Sequence, residues 1–411
     1  MPHVLIIGKA FSGIKKYLTA NGHTYTLLQD RHATRFPDKK FKNRVVADFS
    51  DVESLLAVVD KVNSTHSIDA TFVTYENYII PNAIIAKHLG LPGMTLESAR
   101  ACTDKELMRT AFSQAPEKIS PDFAVIKSRN QLEKFARSHE FPLIIKPANL
   151  SKSLLVTKSN NLEELLKNYD RSLSVIDSIY RRYAPGRIPK LLVEEFLEGH
   201  IHSVDAFVDI DGNAHVLKNV VDYQTGYDIG YDDNFHYSRI LPSKLPRHEI
   251  NAIRHAAAIG CSALGMISSP AHVEIIYTKD GPRIVEIGAR NGGYRERMHM
   301  LANNIDITRN ALALALNTGL DIEPKNNNSV GVFELFPKTA GTFLGISNVD
   351  RLQKLPSFSY LSIKAKPEQF VGKAGDGHKM CAVVILSHSD NKVFSKDTEY
   401  LRNSVAVITK Q

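Results

Sequence analysis

Two glutamates on a predicted β-hairpin could hold a cation between them. Residues 271–277 and 283–287 each alternate as strands do, and the Asp-Gly pair between them is typical of a tight turn. Pairing about this turn brings Glu274 opposite Glu286 or next to it. The two carboxylates should repel each other, so removing either one should leave stability unchanged or raise it slightly. Hard oxygen ligands of this kind suit Mg²⁺ shared with substrate phosphates; the alternative is two exposed acids on a solvated strand.

A second predicted apolar strand, Leu-Ile-Ile-Lys at residues 143–146, ends at a lysine. A buried Lys146 needs an anionic partner, and a phosphate would serve; the alternative is a side chain that reaches solvent. Residues 148–154 then form a loop of mostly small side chains, including Ser151 and Ser153, that could fold over phosphates although it has no glycine.

Acids interrupt a third apolar strand at Glu194 and Glu195. A buried Glu194 could accept a hydrogen bond from an adenine amino group, while backbone groups beside it read the edge of the ring. An unpaired acid there would be costly. The alternative is an edge strand with both acids turned outward.

Arg290 follows the second glutamate strand and begins the sequence Arg-Asn-Gly-Gly. Its planar guanidinium matches phosphate or carboxylate oxygens, and the backbone N–H groups of residues 291–293 could form an anion nest. The alternative is a glycine-rich turn with a surface arginine.

These residues need elements to position them, and residues 1–95 predict a parallel, Rossmann-like sheet. Short apolar strands near 3–7, 24–28, 45–47 and 69–74 alternate with helical segments. Residues 8–13 nearly match G-x-G-x-x-G, but Ala10 replaces the glycine that lets the backbone approach a pyrophosphate, which disfavours a dinucleotide site.

The rest of the chain predicts mixed α+β structure. Helices are expected at 97–114, 161–169, 247–264 and 306–317, and a Pro/Gly-marked loop at 180–189. Residues 326–328 are a plausible boundary, and 330–411 look like a small α+β cap of short strands.

Bulk composition favours a soluble, cytoplasmic protein. Among 411 residues there are three widely spaced cysteines, no long apolar run and no signal-peptide pattern. The net charge of +7 is spread out, so nucleic-acid or membrane binding is not expected.

The order of the motifs resembles the ATP-grasp superfamily, in its carboxylate–amine ligase branch and especially the amino-acid (dipeptide) ligases. The segments that carry the resemblance are Asp104-Lys105, Ile145-Lys146, residues 193–197, His272-Val-Glu274 and residues 285–290. It implies an N-terminal Rossmann-like domain at 1–95, an ATP-grasp domain at 96–325 and a C-terminal subdomain at 326–411. Within the ATP-grasp domain, two α+β subdomains would clasp ATP: a small lid at 96–190 and a metal and substrate subdomain at 191–325.

The resemblance also implies roles. Lys105 and Lys146 would contact the ATP phosphates, with Ser151 and Ser153 in the lid loop. Glu194 would bind the adenine amino group, with backbone contacts from Glu195 and Leu197. Glu274 and Glu286 would bind Mg²⁺ or Mn²⁺, and Arg290 would be catalytic. Three features depart from the family pattern: Gly288 replaces a metal-binding Asn, for which Asn291 could substitute; Ile201 stands where a ribose-binding Glu is usual; and the lid loop lacks its usual glycines.

The implied reaction activates a carboxylate as an acyl phosphate and couples it to an amine, releasing ADP and phosphate. The partners would be a small-molecule carboxylate and amine, and a homodimer is one expectation. Candidate substrate contacts are Glu76, Tyr227, Asp228, Asn291, Gly292, Gly293 and Arg295. The alternatives are a nucleotide-biosynthesis-type ligase acting on a phosphorylated amine, and a non-catalytic nucleotide-binding or regulatory protein.

Overall fold

The computed structural model describes residues 1–9, 14–33, 43–150, 154–184 and 187–411. Ser151, Ser153 and Ala10 lie outside these ranges. Within them, no helix is long and apolar enough to cross a membrane.

A four-stranded parallel sheet begins the chain, as the sequence predicts. Its strands are β1 (His3–Ile7), β2 (Thr24–Asp30), β3 (Arg44–Ala47) and β4 (Ala70–Val73), in the order β3-β2-β1-β4. Helices α1 (Ile14–Ala20), α2 (Val52–Thr65) and α3 (Ile79–Leu89) connect or follow them. All five residues of β1 are buried, because side chains cover both faces of a parallel sheet. The carboxyl ends of β1 and β4 therefore point Lys9 and residues 74–77 toward one edge, where open α/β sheets bind ligands.

A second, antiparallel sheet takes three strands from the predicted lid at 96–190 and a fourth from residues 191–195, just beyond that bound. Helices α4 (Leu96–Ala101) and α5 (Lys105–Ser113) lead into it. Its strands are β5 (Phe123–Ile126), β6 (Leu143–Pro147), β7 (Thr157–Ser159) and β8 (Leu191–Glu195), in the order β5-β8-β6-β7, with helices α6 (Arg129–Ser138) and α7 (Leu162–Tyr183). The predicted single helix at 97–114 is two helices, because Asp104 adopts an extended backbone and caps α5 by accepting from Glu106 N–H.

Helix α7 corrects the prediction of a short helix at 161–169 and a loop from residue 180. The helix continues to Tyr183 because one face carries apolar side chains at helical spacing, and Leu165, Tyr169, Ile176 and Tyr180 are buried. The stabilisation gained by burying this face is larger than any destabilisation from the basic residues in the last turn of the helix.

A nine-stranded sheet forms the centre of the molecule. Its strands are β9 (His200–Val208), β10 (Ala214–Val216), β11 (Val221–Thr225), β12 (His236–Leu241), β13 (Ser269–Thr278), β14 (Gly281–Gly288), β15 (Ser329–Leu335), β17 (Phe358–Ile363) and β19 (Ala382–His388). The order is β14-β13-β9-β11-β12-β15-β19-β17, with β10 beside β9. Helices α8 (Arg247–Ala263), α9 (Arg295–Asn303), α10 (Ile307–Ala315), α11 (Val349–Leu352) and α12 (Asn391–Ser404) accompany it.

Strands from both sides of the predicted boundary at 326 share this central sheet, since β12 pairs with β15. Only a small three-stranded sheet is built wholly from the C-terminal part, from β16 (Gly341–Ile346), β18 (Phe370–Val371) and β20 (Val407–Lys410). The C-terminal segment therefore adds strands to the central sheet besides forming its own small sheet, and the domain bounds stay a prediction.

Candidate active site

The predicted hairpin carries Glu274 and Glu286 directly opposite each other in the register of β13 and β14. Gly281 follows the turn at a φ of +96°, a value that side-chain-bearing residues rarely adopt. A bulge after Glu274 shifts the later pairs, so that Ile284 rather than Val285 is buried with Val273 and Ile287. The two carboxylates are thus presented side by side on the face opposite the core.

A lysine and a histidine lie next to the two carboxylates. Lys105 Nζ is 3.2 Å from Glu286 Oε1, and His272 Nε2 is 3.6 Å from Glu274 Oε1. Burial alone would raise the pKa of Glu274, but hydrogen bonding and charge from His272 hold it at about 2. The repulsion expected from the sequence is therefore offset by the protein's own side chains.

A cavity of about 1150 Å³ opens in front of this pair. It lies between the edge of the N-terminal sheet and the loop after β14. Seven predicted site residues line it: Glu76, Glu274, Glu286, Arg290, Asn291, Gly292 and Gly293. The sequence analysis gave no role to several others: Lys9, Tyr75, His236, His272, Tyr294, Glu296 and Thr308.

Glu76 and Arg290 face each other across the cavity, with Arg290 Nη2 3.6 Å from Glu76 Oε2. Burial and the neighbouring Glu286 carboxylate raise the pKa of Glu76, while Arg290 and Lys105 act in the opposite direction. The segment after β4 and the segment after β14 therefore bring opposite charges together at the cavity.

A buried ion cluster lies between the lid and the central sheet. Lys146 Nζ is 2.6 Å from Glu194 Oε2, and Arg109 Nε donates to Glu194 Oε1 at 3.0 Å. Arg109, which is fully buried, also donates to the carbonyl of Val285, next to Glu286. Burial would raise the pKa of Glu194, yet Arg109 and Lys146 lower it. Lys146 thus has a protein partner, and Glu194 keeps lone pairs for a further donor.

The start of the predicted lid loop, at residues 148–150, is held against α5. Lys105 donates its backbone N–H to Ala148 at 2.7 Å and its Nζ to the carbonyl of Leu150 at 3.2 Å. Arg187 donates to the carbonyl of Asn149 at 2.8 Å, and Tyr180 donates to its side chain at 2.6 Å. Lys105 therefore joins the lid loop to Glu286.

Residues 139–297, which include most of these groups, match the family model described as ATP-grasp domain. This stretch of the chain therefore resembles an ATP-grasp domain. The chain is 27% identical over 254 residues to an alanine–anticapsin ligase of Bacillus subtilis, across 59% of this chain and 52% of the relative. It is 26% identical over 224 residues to a D-alanine–D-alanine ligase of Chlorobaculum parvum, across 49% of this chain and 57% of the relative. The chain spans roughly half to two thirds of the length of the curated relatives it matches.

Solved structures agree on the fold. An L-amino acid ligase from Bacillus licheniformis superposes with a TM-score of 0.80 at 20% identity, covering 100% of this chain and 99% of that one. A phosphoribosylglycinamide synthetase from Anaerococcus prevotii gives a TM-score of 0.71 at 16% identity, covering 100% of both chains. The ATP-grasp fold predicted from the motif order is therefore confirmed.

A second buried network lies behind the hairpin of β13 and β14. Asp205, which pairs with His272 across β9 and β13, accepts from His272 Nδ1 at 2.7 Å and from His299 Nε2 at 2.9 Å. Burial disfavours the imidazolium, but Asp205 raises the pKa of His272 overall. One signal could have revealed His272: it lies two residues before Glu274, and strand alternation places both on one face.

Arg295, predicted as a substrate contact, belongs to this network instead. It is fully buried, with Nε 3.4 Å from Asp205 and Nη2 donating to Ser203 and Tyr223. Tyr227 is 60% exposed, and Asp228 accepts from the backbone and hydroxyl of Thr225. None of the three predicted contacts lines the cavity, because local partners already hold Arg295 and Asp228.

His236 approaches the cavity from β12. Burial, reinforced by the charge of Arg239, lowers its pKa to about 4. The imidazole is therefore neutral at physiological pH and can offer a lone pair as well as an N–H to a bound ligand.

The predicted metal site offers two carboxylates, those of Glu274 and Glu286. Among the described residues, no group of three or more His, Cys, Asp or Glu side chains could hold a metal ion. Asn291, which could have replaced the ligand missing at Gly288, donates its side chain to the carbonyl of Ile307. Glu274 and Glu286 therefore fit a cation that takes its remaining oxygens from phosphates and water, as Mg²⁺ does. The backbone contacts expected for Glu195 and Leu197 stay predictions, and the ribose contact stays open because Ile201 replaces the usual Glu.

Proposed function

We propose that this chain is an ATP- and Mg²⁺-dependent ligase that couples a carboxylate to an amine, with ADP and phosphate as products. The observation that carries the proposal is the cross-strand pair Glu274 and Glu286 at the mouth of a cavity that also holds Arg290. Lys105 and Lys146 supply positive charge on the lid side of the same pair.

The nucleotide would lie between the lid sheet and the central sheet. Glu194 would accept from the adenine amino group with the lone pairs that Arg109 and Lys146 leave. Lys105 and Lys146 would then face the phosphates, and Glu274 and Glu286 would hold Mg²⁺. Bound Mg²⁺ would neutralise charge on the phosphoryl oxygens and fix their geometry.

The chemistry is positioning and charge stabilisation, since the reaction needs no covalent bond to the protein. A substrate carboxylate oxygen attacks the γ-phosphorus, the bond to the β,γ-bridging oxygen breaks, and ADP leaves. Arg290 stabilises charge on the transferred phosphoryl group. The amine nitrogen then attacks the acyl carbon, phosphate departs with the bonding electron pair, and the amine loses a proton.

The charges around the cavity suit zwitterionic amino acids. Glu76 and Glu296 can face an ammonium group, while Arg290, Arg297 and Lys9 can face a carboxylate. A cavity lined by charges of one sign only would favour substrates that carry the opposite net charge. Two amino acids as carboxylate and amine donors would give a dipeptide.

Product analysis over a matrix of amino-acid pairs, with a phosphorylated amine as a separate arm, tests the proposal. We expect ADP and phosphate only when a carboxylate and an amine are both present, and no turnover in the Glu286→Gln variant. AMP and pyrophosphate as products would contradict acyl-phosphate activation. Turnover only with the phosphorylated amine would favour the nucleotide-biosynthesis alternative, and nucleotide binding without any product would favour the regulatory one.

A further inference from the structure

A second cavity lies directly behind the main one. Its volume is about 30 Å³, and it is enclosed by β4, α3, the start of β13 and α10. Val73, Pro270 and Ala311 line both cavities. The two cavities therefore adjoin at three small or medium apolar residues.

Three buried polar atoms without partners surround this second cavity. Thr71 Oγ1, Asn82 Oδ1 and Ser268 Oγ each have no hydrogen-bond partner among the described residues, and all three residues line the cavity. Thr71 is only 3% exposed. Buried polar atoms are almost always paired in folded proteins, so three around one small cavity mark a place for a hydrogen-bonding group.

The backbone conformation of Ser268 also indicates a binding site at this cavity. Its φ of +43° lies in the left-handed region, which serine rarely adopts, and its N–H donates to the carbonyl of Asp209 at 3.0 Å. Backbone conformations of this kind cluster at binding and catalytic sites. The conformation places a serine hydroxyl at the cavity beside Pro270.

The lining also limits the chemistry of the occupant. No charged residue lines this cavity among those the structure describes, so a charged group would be buried without a counterion. An apolar group would leave three polar atoms unpaired. A water needs roughly 10–15 Å³ of such space, so the cavity has room for a group of hydroxyl or carboxamide size.

We propose that this cavity, lined by Thr71, Asn82 and Ser268, is a specificity subsite for an amino-acid substrate with an uncharged hydrogen-bonding side chain. The side chain passes Val73, Pro270 and Ala311, and its hydroxyl or carboxamide end bonds the three polar atoms. This inference rests on the proposed ligase function and narrows its substrate class to residues such as asparagine, glutamine and threonine.

The test compares near-isosteric substrates. We expect higher kcat/KM for asparagine than for leucine and for threonine than for valine, when each is offered with the same partner amino acid. Thr71→Val keeps the shape but removes the hydroxyl, and should reduce both preferences about tenfold, as expected for one lost hydrogen bond. Thr398→Val is the matched control, because Thr398 also has a buried hydroxyl without a partner but lies in α12, away from the cavity.

Ligand-induced thermal shifts provide a second measurement that does not require turnover. Asparagine should raise the melting temperature of the wild type more than leucine does, and this difference should shrink in Thr71→Val. Equal preferences in wild type, or preferences that Thr71→Val leaves intact, would overturn the subsite while the ligase function stands. Absence of ADP with every pair, together with no thermal shift by any amino acid, would overturn both.

Discussion

Lys146 Nζ lies 2.6 Å from Glu194 Oε2, and both side chains are more than 90% buried. Burial lowers the pKa of Lys146 to about 8, although Glu194 opposes the shift. In the free protein, Lys146 therefore carries its charge below about pH 8 and loses it above. The pair places a titrating cation where the proposed nucleotide phosphates would bind.

We therefore predict that ATP affinity falls as pH rises through about 8, because the neutral amine no longer attracts phosphate. Calorimetric titrations with ATP from pH 6.5 to 9.5 measure this. The Lys146→Arg variant provides the control, since a guanidinium stays charged over this range. The variant can bind more weakly, but its affinity should not show the alkaline fall. An identical fall in both proteins would assign the titration to another group.

Glu274→Gln and Glu286→Gln should both abolish most turnover but differ in their effect on stability. The pKa of Glu274, about 2, lies below its ordinary value of 4.5. Its charged form therefore stabilises the fold above about pH 4.5, and this contribution is lost as pH falls toward 2. Glu274→Gln should lower the free energy of unfolding at pH 7 by about 1–3 kcal/mol.

This expectation revises the sequence-based one, in which removing either acid relieves repulsion. It holds because His272 lies beside Glu274 and compensates its charge. Glu286→Gln loses the contact with Lys105 but also relieves repulsion with Glu76, so its stability should change by less than about 1 kcal/mol. Urea unfolding at pH 7, 5 and 4 checks both. A Glu274→Gln deficit that grows as pH falls would contradict the assignment.

Local sequence patterns predicted the elements that carry the site. The Glu274–Glu286 hairpin has strand alternation on both sides of an Asp-Gly turn, and β1 is a continuous apolar run, so short-range signals sufficed. Helix α7 was underestimated because the basic last turn hid a buried apolar face that ends at Tyr180. The pairing of β12 with β15 across residue 326 could not be predicted from local sequence, because strand order depends on tertiary packing.

The groups that support the site were missed for the same physical reason. Arg109 contacts Glu194 across 85 positions of the chain, and His299 contacts Asp205 across 94. Arg109 and His299, taken alone, resemble ordinary surface residues in the sequence. Arg295 was predicted as a substrate contact because it is a cation close to Arg290 in the sequence. The sequence does not show that Asp205, a buried carboxylate 90 positions earlier, forms an ion pair with it.

Arg290→Lys should damage turnover far more than ATP binding. Lysine keeps the charge but loses the two-pronged fork that contacts both Glu76 and the carbonyl of Asn291. Loss of one preorganised donor typically costs about 10²–10³ in turnover, while the contacts of Lys105, Lys146 and Glu194 remain. Calorimetry for ATP beside the ligation rate separates the two effects. If affinity and rate fell by the same factor, Arg290 would be a ground-state nucleotide contact.

Substitution of alanine for each of the two adjacent glycines after Asn291 should affect stability differently. A Cβ at Gly292 would lie 2.4 Å from His272 Nδ1 and 2.7 Å from Arg295 Cγ, whereas a Cβ at Gly293 would meet nothing within 4 Å. Neither glycine has a positive φ, so the backbone tolerates alanine at both positions. Gly292→Ala must displace a buried imidazole that is hydrogen-bonded to Asp205.

We expect Gly292→Ala to cost about 1–3 kcal/mol of stability, as overpacking in a well-packed interior does. Gly293→Ala should stay within about 0.5 kcal/mol of the wild type, like most exposed substitutions. Chemical denaturation of the two variants measures the difference. The His272 ring provides a direct check by NMR, because its signals should move in Gly292→Ala and stay in place in Gly293→Ala. Equal stability of the two variants would mean that the His272 ring moves away from position 292 at little cost. The hydrogen bond from His272 to Asp205 would then not fix the position of the ring.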